Sequence, residues 1–122
     1  MKKFYFLVLV SIFATIFSEA RAVGPKDFER AIRSKDMAIV KFWASWCMPC
    51  SILKPEFEKA KRKMGRKVTF LEYNVDLGGA PLTKYNIQLL PTIVLFKNGK
   101  EVDRKSEVLD SSAIVEWIKE YR

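Results

Sequence analysis

From Gly24 onward the chain alternates between short apolar runs and charged segments with a helical period. Phe28, Ala31 and Ile32 recur at i, i+3 and i+4 after Gly24-Pro25-Lys26-Asp27, which predicts a short amphipathic helix to about Ser34. Met37 to Ala44 (MAIVKFWA) is almost continuously apolar, the pattern of a strand covered on both faces, and Lys41 is its one anomaly. Ile52, Leu53, Phe57 and Ala60 mark a helix from the cysteines to about Met64, with Pro55 inside it and expected to kink it. Lys67 to Val75 predicts a second buried strand, and Leu82 to Tyr85 a short helix. Thr92 to Phe96 and Glu101 to Val108 flank Lys97-Asn98-Gly99-Lys100, where Asn-Gly supplies the positive φ angles of a tight hairpin. A last helix, capped by Asp110 or Ser111, carries Ile114, Val115, Trp117, Ile118 and Tyr121 on a broad apolar face. Alternation first and a hairpin last imply an α/β fold, a mixed sheet of about four strands with helices on both faces.

The amino terminus follows another pattern. Met1-Lys2-Lys3 precedes an apolar or small-residue run from Phe4 to Phe17, whose 14 residues fall short of the roughly 20 a transmembrane helix needs. This is the pattern of a signal peptide, residues 1–22, with small-x-small cleavage positions after Ala22, the favoured one, and after Ala20; an uncleaved anchor is the alternative. Residues 23–122 then form one domain, since 122 residues leave no room for a second core. Loss of Lys2, Lys3, Arg21 and Glu19 lowers the formal charge from +8 to +6. The remaining cations are scattered, and the densest cluster, Lys59 to Lys63, reads as a solvated helix end complementing the macrodipole. No nucleic-acid partner is expected. Export to the bacterial periplasm is expected, and there a disulfide persists.

The chain has two cysteines, Cys47 and Cys50, and no histidine. As a staple the pair would do little, because closing four residues contributes only roughly 2 kcal/mol on the chain-entropy model. A structural zinc site wants four ligands, and two sulfurs do not supply them. A reactive pair is left. If a helix begins near Cys47, that sulfur lies among unpaired N–H groups where the helix dipole favours a thiolate, and Cys50 follows one turn later. Cys47 would attack a partner disulfide and Cys50 would resolve the mixed disulfide; Pro49 suits a first helical turn.

The stretch FWASWCMPC (42–50) resembles the active site of the thioredoxin family, and the resemblance runs from about Phe28 to the end of the chain. Trp43 and Trp46 match the family's tryptophans before the first cysteine, Pro55 its helix proline, Leu90-Pro91-Thr92 its cis-proline loop, and Phe96 to Gly99 its hairpin turn. The resemblance implies a thioredoxin-like fold, an exposed nucleophilic Cys47, a buried resolving Cys50 and a redox-active Cys47–Cys50 disulfide. It also implies a groove where Leu90, Pro91 and Thr92 receive a substrate's extended chain.

Departures from the family pattern carry their own expectations. Lys41 stands where the family often has a buried aspartate, and Glu72 where it has the partner lysine, so the signs are exchanged. A buried lysine needs a partner, and a neighbouring parallel strand would bring Glu72 to it. Glu72 as base for Cys50 and a purely structural ion pair, or a Lys41 that snorkels outward, stand side by side as readings. The family's first strand has almost no counterpart. Leu89 and Glu107 replace groove glycines and suggest a narrower set of partners.

Pro49 before Cys50, where oxidants and isomerases of the superfamily carry histidine, favours a reductant. The function expected is thus an exported thiol:disulfide oxidoreductase and monomer, without cofactor or metal, fed by a membrane-embedded electron donor. Its clients would be exported proteins with disulfides, apocytochromes c among them. A disulfide-donating oxidant and a redox-inactive peptide-binding module or holdase are the alternatives.

Overall fold

The computed structural model describes residues 19–122; the apolar run of the expected signal peptide, Phe4 to Phe17, lies outside the described residues. Five strands, β1 (Arg21–Ala22), β2 (Met37–Trp43), β3 (Thr69–Asn74), β4 (Thr92–Lys97) and β5 (Lys100–Lys105), form one sheet in the order β1-β3-β2-β4-β5. β1 and β2 run parallel to β3, whereas β4 runs antiparallel to both β2 and β5. Four α-helices accompany the sheet among the described residues: α1 (Phe28–Ile32), α2 (Met48–Met64), α3 (Ala80–Lys84) and α4 (Ser111–Glu120). This is the mixed, helix-covered sheet that the pattern predicted.

Alternation along the strands divides the core in two. Ala38, Val40 and Phe42 of β2 join Leu71, Tyr73, Val94 and Phe96 under α1, with Phe28 at the centre of an aromatic cluster. Met37 and Ile39 join Phe70, Ile93 and Leu95 on the opposite face, against Leu53, Phe57 and Ala60 of α2 and Ile114, Val115 and Trp117 of α4. Lys41 belongs by parity to that second face. The same parity places it beside its register partner Glu72.

Most boundaries shift by one or two residues, and three differences from the expectation are more than that. β5 ends at Lys105 instead of Val108, beyond a register shift at Leu95/Phe96 that pulls the edge strand out of line. A 3-10 turn over Val75–Leu77, capped by the Asn74 side chain, stands where the second buried strand was expected to finish. The family's first strand is present as the two residues of β1, too short to show any alternation in sequence. It lies in the segment expected to leave with the leader: a cut after Ala22 would remove all of β1, and a cut after Ala20 would leave it at the extreme amino terminus.

Candidate active site

α2 starts at the cysteines for local reasons. Cys47 is its N-cap in extended conformation, Pro49 occupies the second helical position, and the Cys50 N–H donates to Cys47 Sγ at 3.3 Å. The two residues are disulfide-bonded, with Cα atoms 5.3 Å apart. A sulfur at this position faces the free N–H groups of a 17-residue helix, whose other end is stopped by Gly65 at φ 64°. Cys47 is the more accessible of the pair, as expected, but only 8% exposed against 3% for Cys50, because Ala44 and Leu90 pack on it. Cys47 sits in a recess.

Two cavities meet at the disulfide. The outer one, about 530 Å³, runs past Trp46, Cys47 and Met48 to Ile87, Leu89 and Leu90 and is mainly apolar. Trp46, Met48 and Leu89 are well exposed along it, and Trp46 is held in place by its indole N–H donating to Asp76 Oδ1 at 3.0 Å. The Leu90–Pro91 peptide is cis. Leu90 lines the groove, while Pro91 and Thr92 are buried behind it. The Thr92 hydroxyl is committed to the Leu89 carbonyl at 2.5 Å and to Ser106 at 2.8 Å, so its side chain shapes the loop and is not part of the groove lining. Glu107 is exposed but lies outside the groove lining, so of the two rim substitutions only Leu89 reshapes the groove.

The inner cavity, about 250 Å³, lies behind the cysteines and is lined by Lys41, Trp43, Cys50, Lys54 and Glu72 among others. Lys41 is 2% exposed, so it does not snorkel; its Nζ lies 3.4 Å from Glu72 Oε2 and 5.2 Å from the centre of the Phe57 ring. Burial holds the Lys41 ammonium below the ordinary lysine range, and the Glu72 carboxylate works against that shift.

Glu58 is a member of this group that the sequence reading missed. It is 8% exposed and accepts the Ala20 N–H on both carboxylate oxygens, at 2.9 and 3.2 Å. Burial raises its acidity range above 4.5, opposed by the Ala20 N–H and by the Lys41 charge. Its only sequence signal is an acid immediately after Phe57, on the flank of the apolar stripe, and such a residue ordinarily faces water. A carboxyl raised on folding binds more protons folded than unfolded as pH climbs above 4.5, so its contribution to stability falls over that window. Urea midpoints of wild type and Glu58→Gln from pH 4.5 to 6.5 are expected to diverge, the wild type losing stability relative to the variant as pH rises.

The fold, the paired cysteines at a helix start and the neighbouring cis-proline loop agree with the comparisons. The thioredoxin family model matches residues 19–120. The chain belongs to the thioredoxin family. It is 37% identical to a thioredoxin of Rickettsia bellii over 100 residues, covering 81% of this chain and 95% of that one. It is 38% identical to a thioredoxin of Mycoplasma genitalium over 91 residues, covering 75% and 88%. Among solved structures, the thioredoxin of Malassezia sympodialis superposes with a TM-score of 0.75 at 29% identity, covering 84% of this chain and 90% of that one. With its CxxC pair, this thioredoxin-family protein is a thiol–disulfide oxidoreductase, and its substrates are proteins that contain disulfides.

Proposed function

We propose that the protein is exported and reduces disulfides of other exported proteins, with Cys47 as the attacking and Cys50 as the resolving sulfur. The Cys47 thiolate attacks a client disulfide, and the client's other sulfur leaves as a thiolate. Cys50, once deprotonated, attacks Cys47 Sγ, the second client sulfur leaves, and the Cys47–Cys50 disulfide results. Two electrons have then passed to the client. Glu72 is the base for Cys50, because its carboxylate and Cys50 line one inner cavity, where a proton can pass between them. Leu90 and the exposed Trp46, Met48 and Leu89 hold the client segment.

The observation that carries the reading is the disulfide at the start of α2, open to an apolar groove on one side. The direction of flow rests on charge. A free cation beneath Cys50 would stabilise the thiolate form and favour an oxidant, but Lys41 is partnered by Glu72, and the Glu58 carboxylate adds a further opposing charge. Pro49 adds no charge. A reductant outside the cytosol needs a membrane-embedded donor to re-reduce the pair, and apocytochromes c are clients of the right chemistry.

The test is the reduction potential of the pair, read by Trp43 and Trp46 fluorescence in defined thiol–disulfide buffers. A value near about −270 mV is expected, and one near about −120 mV would make the protein an oxidant.

A further inference from the structure

The end of the molecule opposite the cysteines is strongly basic. The last turn of α2 carries Lys61, Arg62 and Lys63, and Lys63 lines a hollow of about 350 Å³ together with Lys67, Lys119 and Arg122. The carboxyl ends of α2 and α4 both point there, but two helix dipoles amount to only about one elementary negative charge. Six cations from several segments exceed that. Glu116 approaches Lys119 at 3.8 Å, whereas Arg62, Lys63, Lys67 and Arg122 have no carboxylate within 4.0 Å among the described residues.

The chain preceding the domain attaches at this same pole. The Lys61 ammonium donates to the Glu19 carbonyl, and the next residue, Ala20, is buried with its N–H on the Glu58 carboxylate. Cleavage after Ala20 or Ala22 would strip Glu58 of that donor, and cleavage after Ala22 would also remove β1. What lies beyond Glu19 is the apolar run Phe4 to Phe17, behind Lys2 and Lys3. That run is short for a membrane span, and a weak apolar anchor holds stably only with a second signal, such as basic residues beside anionic headgroups.

We propose that the leader remains attached and that the basic pole lies against an anionic phospholipid surface, presenting the disulfide at the far end of α2, roughly 25 Å out for a helix of this length. The attachment point at Glu19 and the cations at the end of α2 then share one end of the domain. The groove is left free for clients. The inference is separate from the redox reading, since membrane binding and disulfide reduction are measured independently.

The test uses the full chain, expressed with its own leader, in flotation with vesicles of phosphatidylglycerol mixed into phosphatidylcholine or of phosphatidylcholine alone. Tighter binding to the anionic vesicles is expected, weakening as salt is raised. Arg62→Gln/Lys67→Gln/Arg122→Gln should weaken that binding about a hundredfold while leaving binding to neutral vesicles and the rate of disulfide reduction unchanged. The intact mass of the membrane-fraction protein should include the residues before Glu19. A protein that begins at Arg21 or Val23, equal binding to both vesicle types, an unaffected triple variant, or tighter binding to a DNA oligonucleotide than to anionic vesicles would each overturn the proposal.

Discussion

Replacing Cys47 with serine is expected to lower disulfide reduction by more than about a thousandfold, because a hydroxyl at the helix start is neither ionised at neutral pH nor able to form the mixed disulfide. The fold should survive, since closing a four-residue loop contributes only roughly 2 kcal/mol. Cys50→Ser should behave differently. Its Cys47 can still attack, but nothing resolves the product, so the variant should accumulate covalent client adducts that thiol reductants release. Intact-mass spectra of both variants, incubated with a disulfide-bonded protein, check the assignment. Adducts on Cys47→Ser, or full turnover by Cys50→Ser, would reverse or remove the roles given to the two sulfurs. A peptide-binding module without redox turnover would keep its function in Cys47→Ser.

The second large effect is expected at the charge pair beneath the cysteines. Glu72→Gln leaves Lys41, 2% exposed, without its 3.4 Å counter-ion. Breaking a fully buried pair costs about 3–5 kcal/mol, and partial exposure of the Glu72 side chain should bring the loss nearer the lower end. Lys41→Met/Glu72→Gln removes both charges and should recover most of the stability, since an apolar replacement of a buried pair is often neutral. Resolution of the mixed disulfide should stay slow in the double variant, by about a hundredfold if Glu72 is the base. Urea denaturation and stopped-flow release of a client thiol separate the two effects. A double variant that regains both stability and rate would leave Lys41 and Glu72 as a structural pair only.

Lys41 also gives a pH signature with a definite sign. Its folded-state value is held below 10.5, so at alkaline pH the unfolded chain keeps a proton that the folded one has released. Stability contributed at this site therefore rises with pH through the window between the depressed value and 10.5. Lys41→Met should lack that rise.

Much of this was legible in local patterns. The cysteine pair with Pro49 announced a helix start, and the near-continuous apolar run from Met37 announced a strand covered on both sides. Asn98-Gly99 announced the hairpin, with both residues at positive φ. Even the Lys41–Glu72 pair could be read, though 31 residues separate the two positions, because one charge in each of two buried parallel strands leaves few other partners. Thr92 was assigned to the groove by the resemblance, and its hydroxyl turned out to be committed inside the loop.

The sequence by itself determined the closely spaced cysteine pair and the order of the main elements, which depend on residue type and local spacing, and the exchanged charges, which follow from one charge in each of two apolar runs. Tertiary structure alone decided that Glu58 turns inward to an N–H 38 residues away and that Asp76 holds Trp46 across 30 residues. It also decided that two residues of the expected leader close the sheet. Those contacts arise where chain segments meet in space, and a polar side chain on a helix flank or in a turn has the same local pattern whether it faces water or a partner.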